Sequence, residues 1–131
     1  MKKGELIYLA SPYSKGDRDS NFKIVTEKAS ELVALGYTVI SPITYGHTLL
    51  EFKDMPIDWK FWMKFCSQLL YKCDRLVVYM MPGWENSKGV LEEISIAIDH
   101  DIPVEYLDYR ETCEETCYET ATVEKTPKWD L

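Results

Sequence analysis

The run Leu76-Val77-Val78-Tyr79-Met80-Met81 constrains the fold more than any other feature of this chain. It is continuously apolar, with no polar residue at alternate positions. A strand of that kind has both faces covered, as a central strand of a parallel sheet does. Directly after it, Pro82-Gly83-Trp84 and Asn86-Ser87-Lys88-Gly89 break the strand, and a helical pattern then runs to about His100. A buried strand, a Gly/Ser turn and a helix form the kind of edge at which α/β proteins hold ligands.

The rest of the chain repeats this alternation. Leu6 to Ala10 reads as a first strand, stopped by Ser11-Pro12. Asp17 or Ser20 caps a helix running to about Leu35, with Ile24, Ala29, Leu32 and Val33 on its apolar side and Gly36 as its stop. Tyr37 to Ile40 is a second strand, closed by Ser41-Pro42. Residues 43–56 read as a long loop holding Tyr45, Gly46 and His47, and loops of that length in a compact domain are often functional. A helix from Asp58 to Cys73 carries Trp59, Trp62, Cys66, Leu69, Leu70 and Cys73 on one stripe, with Phe61 and Phe65 on the flank. That face is either a wide core contact or a subunit interface. Arg75 to Met81 is the third strand and Ile102 to Leu107 the fourth, with Pro103 at its start.

Strand–helix alternation with right-handed crossovers predicts an α/β fold: a Rossmann-like or flavodoxin-like three-layer sandwich around a mostly parallel sheet of roughly four to five strands. From Asp108 onward the composition shifts to Glu, Thr and Lys. Residues 1–108 are therefore read as the domain, and 109–131 as an acidic extension, flexible or docked on a partner, in which Thr120 to Val123 is a candidate edge strand.

With 131 residues, 46% of them hydrophobic, the chain is expected to bury one real core rather than remain disordered. A formal charge of −7 argues against a nucleic-acid polymer as partner, although backbone donors can still bind a small anion. No segment approaches the roughly 20 apolar residues of a membrane span. Met1 to Glu5 does not open a signal peptide, so a cytoplasmic protein without membrane contact is expected. Neither Cys66/Cys73 nor Cys113/Cys117 has metal-ligand spacing, and there are only 2 histidines, so no metal or other cofactor is expected.

Two adjacent carboxylates follow the central strand, and helix phase separates them. If Val90, Leu91, Ile94, Ala97 and Ile98 form the buried stripe, Glu92 lies nearly opposite its centre with Ser95 and Asp99. Glu93 then lies at the stripe's edge, half-buried, near the carboxyl ends of the strands. It is either a functional carboxylate or a boundary residue.

Three segments occur in an order that resembles the nucleoside 2-deoxyribosyltransferase superfamily, including its deoxynucleoside 5′-monophosphate N-glycosidase branch. They are Tyr8-Leu9-Ala10-Ser11-Pro12-Tyr13, Cys73-Asp74-Arg75-Leu76-Val77-Val78, and Ser87-Lys88-Gly89-Val90 followed by Glu93 and Ala97. The resemblance is closest to small members with a Pro-Gly-Trp-x-x-Ser-x-Gly loop. It implies a Rossmann-like domain that cleaves the N-glycosidic bond of a 2′-deoxynucleoside or its monophosphate. Glu93 would attack C1′ and form a covalent deoxyribosyl intermediate, and Tyr8 would orient it. Water as acceptor gives a hydrolase and a second base a transferase. A non-catalytic nucleotide-binding module, or an N-glycosidase of NAD or ribonucleotides, are the alternatives on the same fold.

Ser87 matches the serine of the monophosphate branch, and a hydroxyl beside helix-start amides suits a phosphate. A plain helix cap is the other reading of Ser87. Ser11, Ser14 and Arg18 could complete that phosphate site, with Gly89 beside it. His47 could face the same pocket; Trp59, Trp62 and Trp84 could stack a base, and of these Trp84, in the turn, is the better candidate wall, Trp59 and Trp62 reading as core at their spacing. The resemblance places an Asp where this chain has Cys66. Asp58, Asp54 or His47 could then supply the proton, or activity could be lost; Asp74 reads as a turn residue. Members commonly form homodimers or larger assemblies, and Phe61 and Phe65 suit such a contact.

Overall fold

The computed structural model describes residues 1–109. The expectations placed on Cys113, Cys117, Thr120 to Val123 and the rest of the acidic extension lie outside them. Four strands, β1 (Leu6–Ala10), β2 (Thr38–Ile40), β3 (Arg75–Tyr79) and β4 (Val104–Leu107), pair in parallel in the order β2-β1-β3-β4. The helices are α1 (Arg18–Ala34), α2 (Pro42–Leu50), α3 (Trp59–Leu70) and α4 (Lys88–Asp99), with a short 3₁₀ turn at Trp84–Asn86. The architecture is the α/β sandwich of Rossmann-like and flavodoxin-like proteins.

Strand order dictates the layers. The β1-to-β2 crossover moves one way across the sheet and the β3-to-β4 crossover the other, so right-handed connections put α1 and α4 on opposite faces. The side-chain parity of the strands agrees. Ile7, Leu9, Val77 and Tyr79 point toward α1 and meet Val25 and Leu32. Tyr8, Ala10, Leu76 and Val78 point the other way and meet Leu70, Val90 and Ala97 of the α3/α4 layer. Each fully buried aliphatic in these half-cores contributes about 1.5–3 kcal/mol by leaving water. Between β1 and β3 the chain order reverses, which opens a crevice at the carboxyl ends of those two strands.

The opposite end of the sheet is tied by polar contacts. Arg75 Nε donates to Glu5 Oε1 at 2.8 Å, and the Leu6 amide donates to Asp74 Oδ2 at 2.8 Å. Asp74 is thus a turn residue at the far end from the crevice.

Two local expectations are corrected. The segment 43–56 is not all loop, because Pro42–Leu50 is helical. Ser41 caps it, its Oγ accepting from the Thr44 amide at 3.2 Å, and Pro42 sits where its missing N–H costs nothing. The helix is hard to read because Thr and Gly are weak helix formers. Gly46 suits the close packing here, since a Cβ would stand 3.3 Å from the Trp62 ring. The second correction concerns Trp59, which is 39% exposed rather than part of the buried stripe of α3. It stands at the first residue of that helix and lines the cavity described below.

Candidate active site

α4 begins at Ser87, whose Oγ accepts from the Val90 amide at 3.3 Å. The packed face of α4 consists of Val90, Glu93 and Ala97, whereas Leu91 and Ile98 are 48% and 64% exposed. Hydrophobicity alone therefore misplaces the stripe. Its true centre is the carboxylate, and Glu93 is 6% exposed. Burying a carboxyl group there requires a partner. Tyr8 provides it: its side chain faces the α3/α4 layer and its hydroxyl donates to Glu93 Oε2.

Burial pushes the Glu93 carboxyl up to about 7, with the Tyr8 hydrogen bond acting in the opposite direction. Burial, and next the charge of Glu93, hold the Tyr8 hydroxyl well above its ordinary range, so it stays a donor. Cys66 reaches this pair from α3. Burial first, then Glu93, push its thiol up to about 12, which makes it a poor proton donor.

Glu93 and Cys66 open onto a cavity of about 360 Å³, within the usual range for small-molecule sites. Its lining divides by chemistry. The β1–α1 loop gives Ser11, Tyr13, Ser14 and Lys15, and the start of α4 gives Ser87, Lys88 and Gly89. α2 and α3 give Ile43, His47, Leu50, Trp62 and Met63. Ser11 Oγ is buried and has no hydrogen-bond partner among the described residues, an arrangement that usually awaits an acceptor.

Two contacts hold the polar loops in place. Asn21 Nδ2 donates to the carbonyls of Tyr13 at 2.9 Å and Lys15 at 2.7 Å. Gly83, at φ 90°, lets the β3–α4 turn approach so closely that a Cβ would stand 3.2 Å from Lys15 Cβ.

Of the residues singled out in the sequence, Ser11, Ser14, His47, Ser87, Gly89 and Glu93 share this cavity, with Tyr8 bonded behind Glu93. Arg18 and Trp84 are not among its lining residues. Arg18 is the exposed first residue of α1. Trp84 is carried over β4 by the left-handed Gly83 and packs on Tyr106, ring centroids 5.6 Å apart. Asp58 lines the cavity, but its carboxylate accepts from the Phe61 amide at 3.1 Å as the cap of α3. Sequence reasoning missed Tyr13, Lys15 and Lys88 as wall residues. The two lysines adjoin Ser14 and Ser87, which is the signal that would have found them. Trp62 was read as core, and its Nε1 donates to the Pro56 carbonyl at 2.8 Å.

A family model described as "Domain of unknown function (DUF1937)" matches residues 5–108, a span that contains all four strands and the whole cavity. The chain belongs to the DUF1937 family. No curated protein matches it in sequence. Among the described residues, no group of three His, Cys, Asp or Glu side chains is placed to hold a metal ion, and no helix is long and apolar enough to cross a membrane.

Proposed function

We propose that this DUF1937 chain is a cytoplasmic enzyme that cleaves the N-glycosidic bond of a 2′-deoxynucleoside 5′-monophosphate. Glu93 is the nucleophile, and water or a second base is the acceptor. The observation that carries the reading is the buried Glu93–Tyr8 pair facing a cavity with one cationic, hydroxyl-rich wall and one apolar, aromatic wall. The resemblance to nucleoside 2-deoxyribosyltransferases falls on the same two residues.

Each wall suits one part of such a substrate. Ser11, Ser14, Lys15, Ser87 and Lys88, with the amides at the start of α4, offer donors and positive charge to a phosphate. Ser11 Oγ would gain the acceptor it lacks. Trp62 and Met63 offer apolar surface to a base. In the first step a Glu93 oxygen bonds to C1′, the C1′–N bond breaks, and its electron pair leaves with the base. Water then attacks C1′ from the face the base left, the ester bond breaks, and Glu93 recovers its carboxylate. Tyr8 holds the carboxylate oriented and, by hydrogen-bonding the charged form, favours its ionised state.

The test is to incubate the protein with each deoxy- and ribonucleoside monophosphate and each free nucleoside, and to follow release of base by chromatography. Release that disappears in Glu93→Ala and survives in Glu92→Ala supports the proposal; equal loss in both, or binding without release, refutes it. Adding a second free base separates transfer from hydrolysis. The reading includes a homodimer through the flank of α3, where Phe61 and Phe65 are exposed. Sedimentation of wild type against a Phe61→Ser, Phe65→Ser double variant tests that part.

A further inference from the structure

Expelling a nucleobase as its anion is unfavourable, so a group in the cavity has to deliver a proton as the C1′–N bond breaks. The side chains nearest Glu93 do not do this well. The Cys66 thiol is too weak an acid, and the Asp58 carboxylate is committed to the start of α3, accepting from the Phe61 amide.

A chain of contacts on the α2 side of the cavity has the right chemistry. Tyr13 Oη lies 2.7 Å from His47 Nδ1, and His47 Nε2 lies 3.4 Å from Asp19 Oδ1. The imidazole is stacked on Phe22 with centroids 4.1 Å apart, and its side chain is 14% exposed. Both ring nitrogens are therefore engaged and the ring is held in one plane. Tyr13 and His47 line the cavity together with Glu93. Burial raises the Tyr13 hydroxyl above its ordinary range, so alone it would be a weak acid like Cys66; what distinguishes it is the imidazole 2.7 Å behind it, which can replace the proton as it leaves.

We propose that Tyr13, charged by His47 and Asp19, is the proton donor to the departing base; the proposal rests on the glycosidase reading above. With His47 as imidazolium, Nδ1–H donates to Tyr13 Oη, and the hydroxyl hydrogen is free to turn into the cavity. The Asp19 carboxylate stands 3.4 Å from Nε2 on the other side of the ring. As Glu93 bonds to C1′ and the C1′–N pair passes to the base, the base takes the Tyr13 proton and Tyr13 takes the Nδ1 proton. Imidazolium and carboxylate become neutral imidazole and ester, so charge is conserved. In the second step the attacking water returns its proton through Tyr13 to His47, and Glu93 leaves as carboxylate. Tyr13 is thus the catalytic residue and His47 a positioning and charging residue.

The experiment compares wild type, Tyr13→Phe, His47→Gln and Glu93→Ala on two leaving groups. One is 2′-deoxyguanosine 5′-monophosphate. The other is its 7-methyl derivative, whose base departs neutral without gaining a proton. The expected result is that Tyr13→Phe and His47→Gln lose about 100-fold or more in kcat on the parent nucleotide and less than about tenfold on the methylated one, while Glu93→Ala loses both. Activity on the methylated substrate also reports that the variants are folded. Equal losses on the two substrates overturn the relay and leave the glycosidase reading standing. Release of neither base by the wild type overturns the glycosidase reading, and the relay with it.

Discussion

Replacing Glu93 by Gln isolates the cost of a carboxylate at the centre of a packed helix face. The amide has nearly the same shape and still accepts from the Tyr8 hydroxyl. In the folded protein the Glu93 carboxyl is raised from the usual 4.5 to about 7. At about 1.4 kcal/mol per pKa unit, ionising it costs the fold about 3 kcal/mol relative to the unfolded chain. The folded state holds this proton more tightly than the unfolded state does. The stabilising contribution of the neutral group is therefore complete below pH 4.5 and is lost as pH rises to about 7. Glu93→Gln should consequently be more stable than wild type by about 3 kcal/mol at pH 8, a rise of about 10 °C in Tm, and by less than about 1 kcal/mol at pH 5. Thermal and urea unfolding at the two pH values measure the difference directly. Parallel pH profiles for the two proteins would refute the reasoning, because they would mean that burial does not oppose ionisation of Glu93.

Other variants separate the remaining contributions. On the acid limb of the pH–rate profile, base release by the wild type should rise as Glu93 ionises near pH 7. Tyr8→Phe removes the hydrogen bond that favours the carboxylate, so its pH–rate profile should move to higher pH and its kcat fall by about 10–100-fold. Ser11→Ala deletes a buried hydroxyl that has no partner among the described residues. Its Tm should stay level or rise slightly, while KM for a nucleoside monophosphate increases about tenfold, as a titration of initial rates would show. Gly83→Ala forces a side chain onto a left-handed backbone and against Lys15, and should cost about 1–3 kcal/mol in urea unfolding.

Much of the fold was legible because its strands are short, strongly apolar and punctuated. The continuous run at Leu76 marked the central strand, and Ser11-Pro12 and Ser41-Pro42 marked the ends of β1 and β2. α2 was not legible, because a Gly in a helix reads as a break unless the approach of Trp62 is known. At the site, helix phase selected Glu93 over Glu92 for a reason that was only half correct. A hydropathy stripe counts Leu91 and Ile98 as core and cannot register that Tyr8, on a distant strand, makes a carboxylate acceptable at its centre. The Tyr13–His47–Asp19 chain was also beyond reach. It joins residues from the β1–α1 loop, α1 and the hidden helix α2, and local pattern does not bring those together.

The alternation of side chains along β1 divides more than two layers of packing. Ile7 and Leu9 face α1 in a half-core with Val25 and Leu32, while Tyr8 serves the half that contains Glu93. The sheet acts as a partition in mutational tolerance. Behind it, Val25, Leu32 and Val77 can be repacked for robustness by the ordinary rules of volume and shape, with the geometry at Glu93 shielded by a full layer of backbone. In front of it, a gain in packing around Tyr8 or Val90 comes at the expense of the carboxylate's surroundings. An engineered, hardier version of this protein is therefore best sought on the α1 side.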